Sequence, residues 1–101
     1  FRGRVMNIHP SLLPSFKGLH AQRQALEYGV KVAGCTVHFV DASVDGGPIV
    51  LQSAVPLHDD DDVESLRARI LAEEHRVLVR AVELYARGRL RIEGRRVLGT
   101  D

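Results

Sequence analysis

The 101-residue chain has little of several features that mark particular classes of protein. Its single cysteine, Cys35, excludes an internal disulfide and the usual cysteine spacings of zinc sites, which fits a reducing cytoplasm. A formal net charge of +1 gives no reason to expect a nucleic-acid partner. The apolar runs, such as residues 49–51 and 77–79, are far shorter than a membrane span. We therefore expect a cytoplasmic protein without a nucleic-acid or membrane partner, and either a monomer or a homodimer.

The composition is that of an ordinary globular domain, with 45% apolar and 27% charged residues. The length suits one small domain, and no repeat or linker divides it. The chain opens with Phe1 rather than methionine, and its most distinctive motif begins at Asn7. We therefore expect the C-terminal part of a longer protein.

The hydrophobic pattern predicts strands that alternate with helices, which is typical of an α/β sheet. Helices are predicted over residues 20–28 and 63–87, the second capped by Asp61 or Asp62 and closed by Gly88. The capping role explains the acidic run at residues 59–62 better than a metal site does. Strands are predicted over residues 5–8, 35–40 and 49–55, with a terminal hairpin over 90–92 and 96–98.

Asn7, His9 and Asp45 are the candidate catalytic residues. Asn7 and His9 are two positions apart at a strand end, so their side chains share one face and could together hold an oxyanion on a carbonyl. Asp45, followed by two glycines and a proline, could orient His9 and favour its charged form. The alternative is that all three are plain strand-end and turn residues.

Two further positions carry open alternatives. His38 shares a strand face with Thr36 and is either a satisfied core histidine or a partner of Asp45 or His9. Glu74 falls inside a predicted apolar stripe on the long helix, so it either needs a partner or ligand or reaches solvent at the stripe's edge. The stripe consists of Leu66, Ile70, Leu78, Val82 and Tyr85.

Four segments together resemble the folate-dependent phosphoribosylglycinamide formyltransferases. They are Asn7-Ile8-His9-Pro10-Ser11-Leu12-Leu13-Pro14, Lys17-Gly18-Leu19-His20, Val37-His38-Phe39-Val40 and Asp45-Gly46-Gly47-Pro48. The resemblance implies the C-terminal half of a Rossmann-like formyltransferase fold, with a mixed sheet, one long C-terminal helix and a small terminal hairpin. Residues 1–101 would be the C-terminal portion of the catalytic domain, without its N-terminal phosphate-binding half.

The same resemblance implies transfer of a formyl group from 10-formyltetrahydrofolate, as co-substrate, to the amine of glycinamide ribonucleotide, without a metal. Catalysis would fall to Asn7, His9 and Asp45, with His38 and Thr36 as their supports. Glu74, Ile8 and Pro10 would contact the ribonucleotide. The folate loop would comprise Val40, Asp41, Ala42, Ser43, Val44 and Asp45. The alternatives are a formyltetrahydrofolate hydrolase and a non-catalytic folate-binding fragment.

Overall fold

The computed structural model describes residues 5–101, so the first four positions of the predicted domain lie outside the described residues. Two helices and five strands follow one another along the chain. In order they are β1 (Met6–His9), α1 (Ala21–Tyr28), β2 (Val32–Phe39), β3 (Ile49–Pro56), α2 (Val63–Ala86), β4 (Arg91–Glu93) and β5 (Arg96–Leu98). Each predicted element is present, and no bound differs from its prediction by more than three residues.

The five strands form one sheet in the order β1-β2-β3-β5-β4. Neighbouring strands are antiparallel except β3 and β5, which are parallel. This mixed sheet, with one long helix and a terminal hairpin, confirms the predicted α/β class. The register between β2 and β3 shifts at Val37 and His38, and such bulges are common beside functional sites because they re-aim side chains.

Strand β2 lies at the centre of the packing. Cys35, Val37 and Phe39 belong to the hydrophobic core cluster, which also includes Leu66 and Ile70 of α2. The alternate side chains, including Thr36 and His38, point to the other face and are also buried. Because both faces are covered, β2 can hold polar side chains in a fixed position on the face away from the core.

Strand β2 begins three residues earlier than predicted. The prediction started at Cys35, because Ala33 and Gly34 are poor strand formers. Gly34 is nevertheless required there, since a Cβ atom at this position would lie 2.1 Å from the Ser53 carbonyl oxygen. Glycine therefore allows the close approach of β2 and β3 at this point.

Helix α2 begins with a capping box. The Asp62 carboxylate accepts the Ser65 backbone N–H at 2.8 Å, and the Ser65 hydroxyl accepts the Asp62 backbone N–H at 3.0 Å. Asp62 is therefore the N-cap, one of the two residues predicted for it. Asp61 instead accepts two hydrogen bonds from the guanidinium of Arg69, at 2.7 and 2.6 Å. The helix ends at Ala86, and Gly88 follows in the left-handed conformation with φ +69°.

The predicted apolar stripe on α2 was partly wrong. Its buried residues are Leu66, Ile70, Val77, Ala81 and Leu84. Val82 is 49% exposed, and Leu78 and Tyr85 are only partly buried. The next buried residue of α2 after Ile70 is Val77, seven positions later, whereas Leu71, Val79 and Val82 are exposed to solvent. Glu74 consequently sits beside the buried stripe rather than within it.

Candidate active site

The pairing of β1 with β2 brings four of the predicted site residues onto one face of the sheet. Asn7 lies opposite His38, and His9 lies opposite Thr36. Directly opposed residues of an antiparallel pair project to the same side. This is the face of β2 that turns away from the hydrophobic core cluster.

His9 is buried, and both of its ring nitrogens face a protein group. Nε2 lies 2.8 Å from the Phe16 carbonyl oxygen, which can only accept, so Nε2 carries a hydrogen and donates it. Nδ1 lies 3.4 Å from Oδ2 of Asp45. The imidazole is therefore fixed between the loop after β1 and the loop after β2.

Asp45 reaches His9 from a loop 36 positions further along the chain. Its backbone is left-handed, with φ +51°, a conformation that aspartate adopts more readily than most residues. Oδ2 accepts the Gly18 backbone N–H at 2.8 Å, and Oδ1 lies 3.7 Å from Nε2 of His38. Only 14% of the Asp45 side chain is exposed, so two imidazoles and an amide surround a nearly buried carboxylate.

His38 is also buried and held from the opposite side. Its Nδ1 lies 3.1 Å from the Phe39 carbonyl oxygen and donates to it. Nε2, the ring nitrogen turned towards Asp45, is buried without a hydrogen-bond partner among the described residues. Of the two readings left open by the sequence, the structure thus places His38 beside Asp45.

Thr36 anchors the loop that follows β1. Its hydroxyl donates to the Ser11 carbonyl at 2.7 Å and accepts the Leu13 backbone N–H at 3.0 Å. Gln52 of β3 donates to the same hydroxyl at 3.0 Å and to the Leu13 carbonyl at 2.9 Å. These bonds fix the loop whose later residues supply the Phe16 carbonyl and the Gly18 N–H to the site.

The loop that carries Asp45 is held at its glycines. A Cβ atom on Gly47 would lie 1.7 Å from the Phe39 carbonyl oxygen, so the backbones meet there without room for a side chain. The Arg95 guanidinium, from the turn between β4 and β5, donates to the Gly46 carbonyl at 2.6 Å. Arg95 and Phe16 were missed by sequence reasoning, because their contacts use backbone carbonyls, which every residue possesses.

Glu74 lies apart from this cluster, on α2. With Ile8, Leu71, His75 and Leu78 it lines a depression of about 300 Å³. Burial raises the pKa of its carboxyl above the ordinary value, and the nearby His9 charge acts in the opposite direction. Among the described residues, none forms a hydrogen bond or ion pair with Glu74. The structure thus places the partly buried carboxyl of Glu74 beside Ile8.

The other predicted contact residues are more dispersed. Pro10 borders a separate pocket of about 360 Å³, with Phe16 and Tyr28 on its wall. The Asn7 side chain is exposed. The predicted folate loop is exposed from Val40 to Val44. Within it, hydrogen bonds from the Ser43 hydroxyl and backbone N–H lower the pKa of Asp41 and form a tight turn.

Neither a metal centre nor a membrane span is found within the described part of the chain. Across residues 5–101, no three histidine, cysteine, aspartate or glutamate side chains are grouped so that they could hold a metal ion. Neither α1 nor α2 combines the length and the apolar character that crossing a bilayer requires.

Comparison with known proteins identifies the group to which this fold and site belong. The family model described as formyl transferase matches residues 1–82. The phosphoribosylglycinamide formyltransferase of Mycobacterium tuberculosis is 52% identical over 95 residues, which are 94% of this chain and 44% of that protein. The trifunctional purine biosynthetic protein adenosine-3 of Homo sapiens is 51% identical, over 91% of this chain and 9% of that protein.

Solved structures give the same result. Glycinamide ribonucleotide transformylase 1 from Symbiobacterium toebii superposes with a TM-score of 0.96 at 68% identity, covering all of this chain and 48% of that one. A formyltetrahydrofolate deformylase from Pseudomonas syringae superposes with a TM-score of 0.91 at 34% identity, covering 96% and 33%. The chain thus spans less than half the length of these relatives. On the matched residues and the shared fold together, it belongs to the formyl transferase family.

Proposed function

We propose that this chain forms part of a phosphoribosylglycinamide formyltransferase. In this proposal a formyl group passes from 10-formyltetrahydrofolate to the amine of glycinamide ribonucleotide, a step of purine biosynthesis in the cytoplasm. The observation that carries it is the buried His9–Asp45 pair at 3.4 Å, on a chain whose relatives bear that name. Residues 1–101 would be one portion of the catalytic domain, with small molecules as its only substrates.

The reaction needs a group that stabilises negative charge on the formyl oxygen. As the amine attacks the formyl carbon, an oxyanion forms, and the donors best placed for it are the Asn7 amide and the His9 ring. In the structure, His9 gives its Nε2 hydrogen to the Phe16 carbonyl at 2.8 Å. A substrate oxygen would compete with that carbonyl for the same hydrogen. A small displacement of the loop would therefore bring His9 into use.

The reaction also needs a proton to move from the attacking amine to the folate nitrogen that departs. The new bond joins the amine nitrogen to the formyl carbon, and the bond from that carbon to the folate nitrogen breaks. Asp45, with a carboxylate oxygen 3.4 Å from His9, can take the amine proton directly or through water and pass it to the departing folate nitrogen. His38 and Thr36 would support this pair from β2.

Substrate binding would use the surfaces on either side of the cluster. Glu74 and Ile8 line one depression, and a partly buried carboxylate there suits the two hydroxyls of a ribose. The exposed loop of residues 40–45 would present backbone groups to the folate. Pro10, directly after His9, turns the chain out of β1 and would border the ribonucleotide.

A hydrolase with water as the acceptor is the alternative from the same family. The deformylase structure is 34% identical to this chain, whereas the glycinamide ribonucleotide transformylase structure is 68% identical. The higher similarity favours the transferase. A fragment that binds folate without turnover is the remaining alternative.

The test is the release of tetrahydrofolate from 10-formyltetrahydrofolate by the natural protein that carries this sequence, with and without glycinamide ribonucleotide. We expect release only with the ribonucleotide. His9→Ala and Asp45→Asn should each lower kcat by about 10²–10⁴-fold, the range for general acid–base groups. The control variants His58→Ala and Asp60→Asn, which change exposed residues of the same types, should retain the kcat of the parent protein. Release without the ribonucleotide would establish the hydrolase, and binding without release would establish the folate-binding fragment.

A further inference from the structure

The candidate folate loop of residues 40–45, with the two glycines that follow it, is held by the turn between β4 and β5. Strand β5 pairs with β3 so that Arg96 lies opposite Ile49, two residues after the second glycine. This register brings the preceding residue, Arg95, beside the end of the loop. Its Nη2 donates to the Gly46 carbonyl at 2.6 Å and lies 3.4 Å from the Gly47 carbonyl. One cation therefore holds both carbonyls of the glycine pair.

The loop is also folded against itself, and this arrangement depends on the position of Gly46. The Ser43 hydroxyl and backbone N–H both donate to Oδ1 of Asp41. A Cβ atom on Gly46 would lie 2.2 Å from the Ser43 hydroxyl oxygen, so this hydroxyl lies directly against the Gly46 backbone. The hydrogen bonds from Ser43 lower the pKa of Asp41 most, and the positive charge of Arg95 acts in the same direction. Arg95 thus interacts with the start of the loop as well as with its end.

The Arg95 guanidinium binds this loop rather than a neighbouring carboxylate. Within residues 5–101, no ion pair joins Arg95 to an aspartate or glutamate, whereas Arg91 of the same hairpin pairs with Glu93 at 2.9 Å. A hydrogen bond from a charged donor to a carbonyl is stronger than one between neutral groups. Glycine loses more conformational freedom on ordering than any other residue. A charged donor on two adjacent glycines therefore offsets an ordering cost that is unusually large at this point.

A folate that binds the backbone groups of this loop binds best when the loop is already ordered. Ordering a loop costs free energy, and a loop that is fixed before binding avoids this cost at the moment of association. The residues from Val40 to Val44 are exposed, so neighbouring side chains do little to fix them. Asp45 has separate support, because its carboxylate accepts the Gly18 N–H at 2.8 Å. Loss of the Arg95 contact should therefore loosen the exposed part of the loop more than it displaces the Asp45 carboxylate.

We propose that Arg95 is a positioning residue for the folate. By holding the glycine pair, it keeps the loop of residues 40–45 in the arrangement that accepts 10-formyltetrahydrofolate. The terminal hairpin, which lies apart from the His9–Asp45 pair, thereby determines the affinity for the folate. The identity of the ligand rests on the proposed function, whereas the ordering of the loop rests on the contacts of Arg95 alone.

Three variants of the natural protein separate the contact of Arg95 from its charge. Arg95→Met removes the charge and every donor but keeps an unbranched apolar side chain, so the packing of the hairpin is disturbed little. Arg95→Lys keeps the charge and donors that can bind the Gly46 carbonyl. Arg96→Met is the matched control, because it removes an exposed arginine from the same hairpin that forms no hydrogen bond with the described residues of the loop. Circular dichroism checks that each variant folds.

In kinetics, Arg95→Met should raise the KM for 10-formyltetrahydrofolate about tenfold, equivalent to about 1.4 kcal/mol. The KM for the ribonucleotide and kcat should stay within about twofold, because a loss of binding alone leaves kcat unchanged. Arg95→Lys should recover most of the folate affinity, and Arg96→Met should retain the KM of the parent protein. An unchanged folate KM in Arg95→Met would overturn the proposal. So would an equal rise in Arg96→Met, which would make the charge of the hairpin the cause, or an equal rise in the KM of both substrates, which marks general damage to the fold.

Nitrogen-15 NMR order parameters of the backbone amides at residues 41–47 measure the ordering of the loop without any activity. They should lie near the rigid value of about 0.85 in the natural protein and fall towards about 0.6 in Arg95→Met, but not in Arg96→Met. Equal order parameters in these two variants would overturn the role of Arg95. A protein that shows this loss of order but transfers no formyl group would refute the proposed function and still support the ordering of the loop by Arg95.

Discussion

Gly47→Ala is the substitution whose consequence for the site can be worked from distances. A Cβ atom on Gly47 would lie 1.7 Å from the Phe39 carbonyl oxygen, whereas Cβ contacts closer than about 3.0 Å essentially do not occur. The two backbones must therefore separate by about 1.3 Å, the difference between these distances. The movement affects the hydrogen bond from the Phe39 N–H to the Pro48 carbonyl, now 2.9 Å, and the carbonyl that holds His38.

Asp45 is two residues before Gly47 and moves with it. A displacement of about 1 Å in a catalytic group can lower a rate by about 10²-fold, and overpacking costs about 1–3 kcal/mol of stability. We expect Gly47→Ala to lower kcat for formyl transfer by about 10²-fold, measured as tetrahydrofolate release by the natural protein.

Gly88→Ala is the matched control for this substitution. Its φ of +69° costs an alanine about 1–2 kcal/mol, but a Cβ atom there has no described atom within 4 Å. It should therefore lower the free energy of unfolding and spare kcat. A Gly47→Ala protein with native kcat would refute the idea that this close approach positions Asp45.

Two further predictions concern helix α2. Burial raises the folded-state pKa of Glu74, so its ionised form destabilises the fold. Glu74→Gln should therefore be more stable than the parent to urea at neutral pH and lose that advantage below the ordinary glutamate pKa of about 4.3. It should also raise the KM for the ribonucleotide, and neither effect should appear in the exposed control Glu83→Gln. Hydrogen bonds from the Ser65 backbone and hydroxyl lower the pKa of Asp62. The Asp62 carboxylate therefore stabilises the fold fully above about pH 4, and this stabilisation is lost as the pH falls through the lowered pKa. Asp62→Ala should therefore lower the melting temperature at neutral pH but not in strong acid, and an equal loss in Asp60→Ala would contradict the capping role.

The elements of the fold were predictable where local chemistry sets their ends. Asp62 and Gly88 bracket α2 because a cap and a left-handed glycine act within a few residues. The start of β2 was not predicted. Gly34 lies in the strand because the Ser53 carbonyl of β3 leaves no room for a side chain there, and the local sequence does not show this contact. The exposure of Val82 was missed for a similar reason, since periodicity alone does not say which apolar residues have a neighbour to cover them.

The sequence indicated side chains of the candidate site but not the backbone groups that hold them. The sequence indicated His9 and Asp45 because an imidazole and a carboxylate in special backbone settings are chemically distinctive. For His38 the sequence left two interpretations open, a core histidine or a partner of Asp45 or His9. The pairing of β1 with β2 decides which groups this buried histidine faces. Nothing in the sequence indicated that Phe16 and Gly18 would supply a carbonyl and an N–H, because residues of any type have these groups.

One loop holds both His9 and Asp45, the candidate catalytic residues. The Phe16 carbonyl holds the Nε2 hydrogen of His9, and the Gly18 N–H holds Oδ2 of Asp45, so a movement of this segment changes both contacts at once. Thr36 limits that movement, because its hydroxyl binds the same loop at Ser11 and Leu13. The Thr36 hydroxyl forms no hydrogen bond with His9 or Asp45, but it affects their positions through this loop. The rate of transfer should accordingly depend on the residues that hold this loop, as well as on those that meet the substrate.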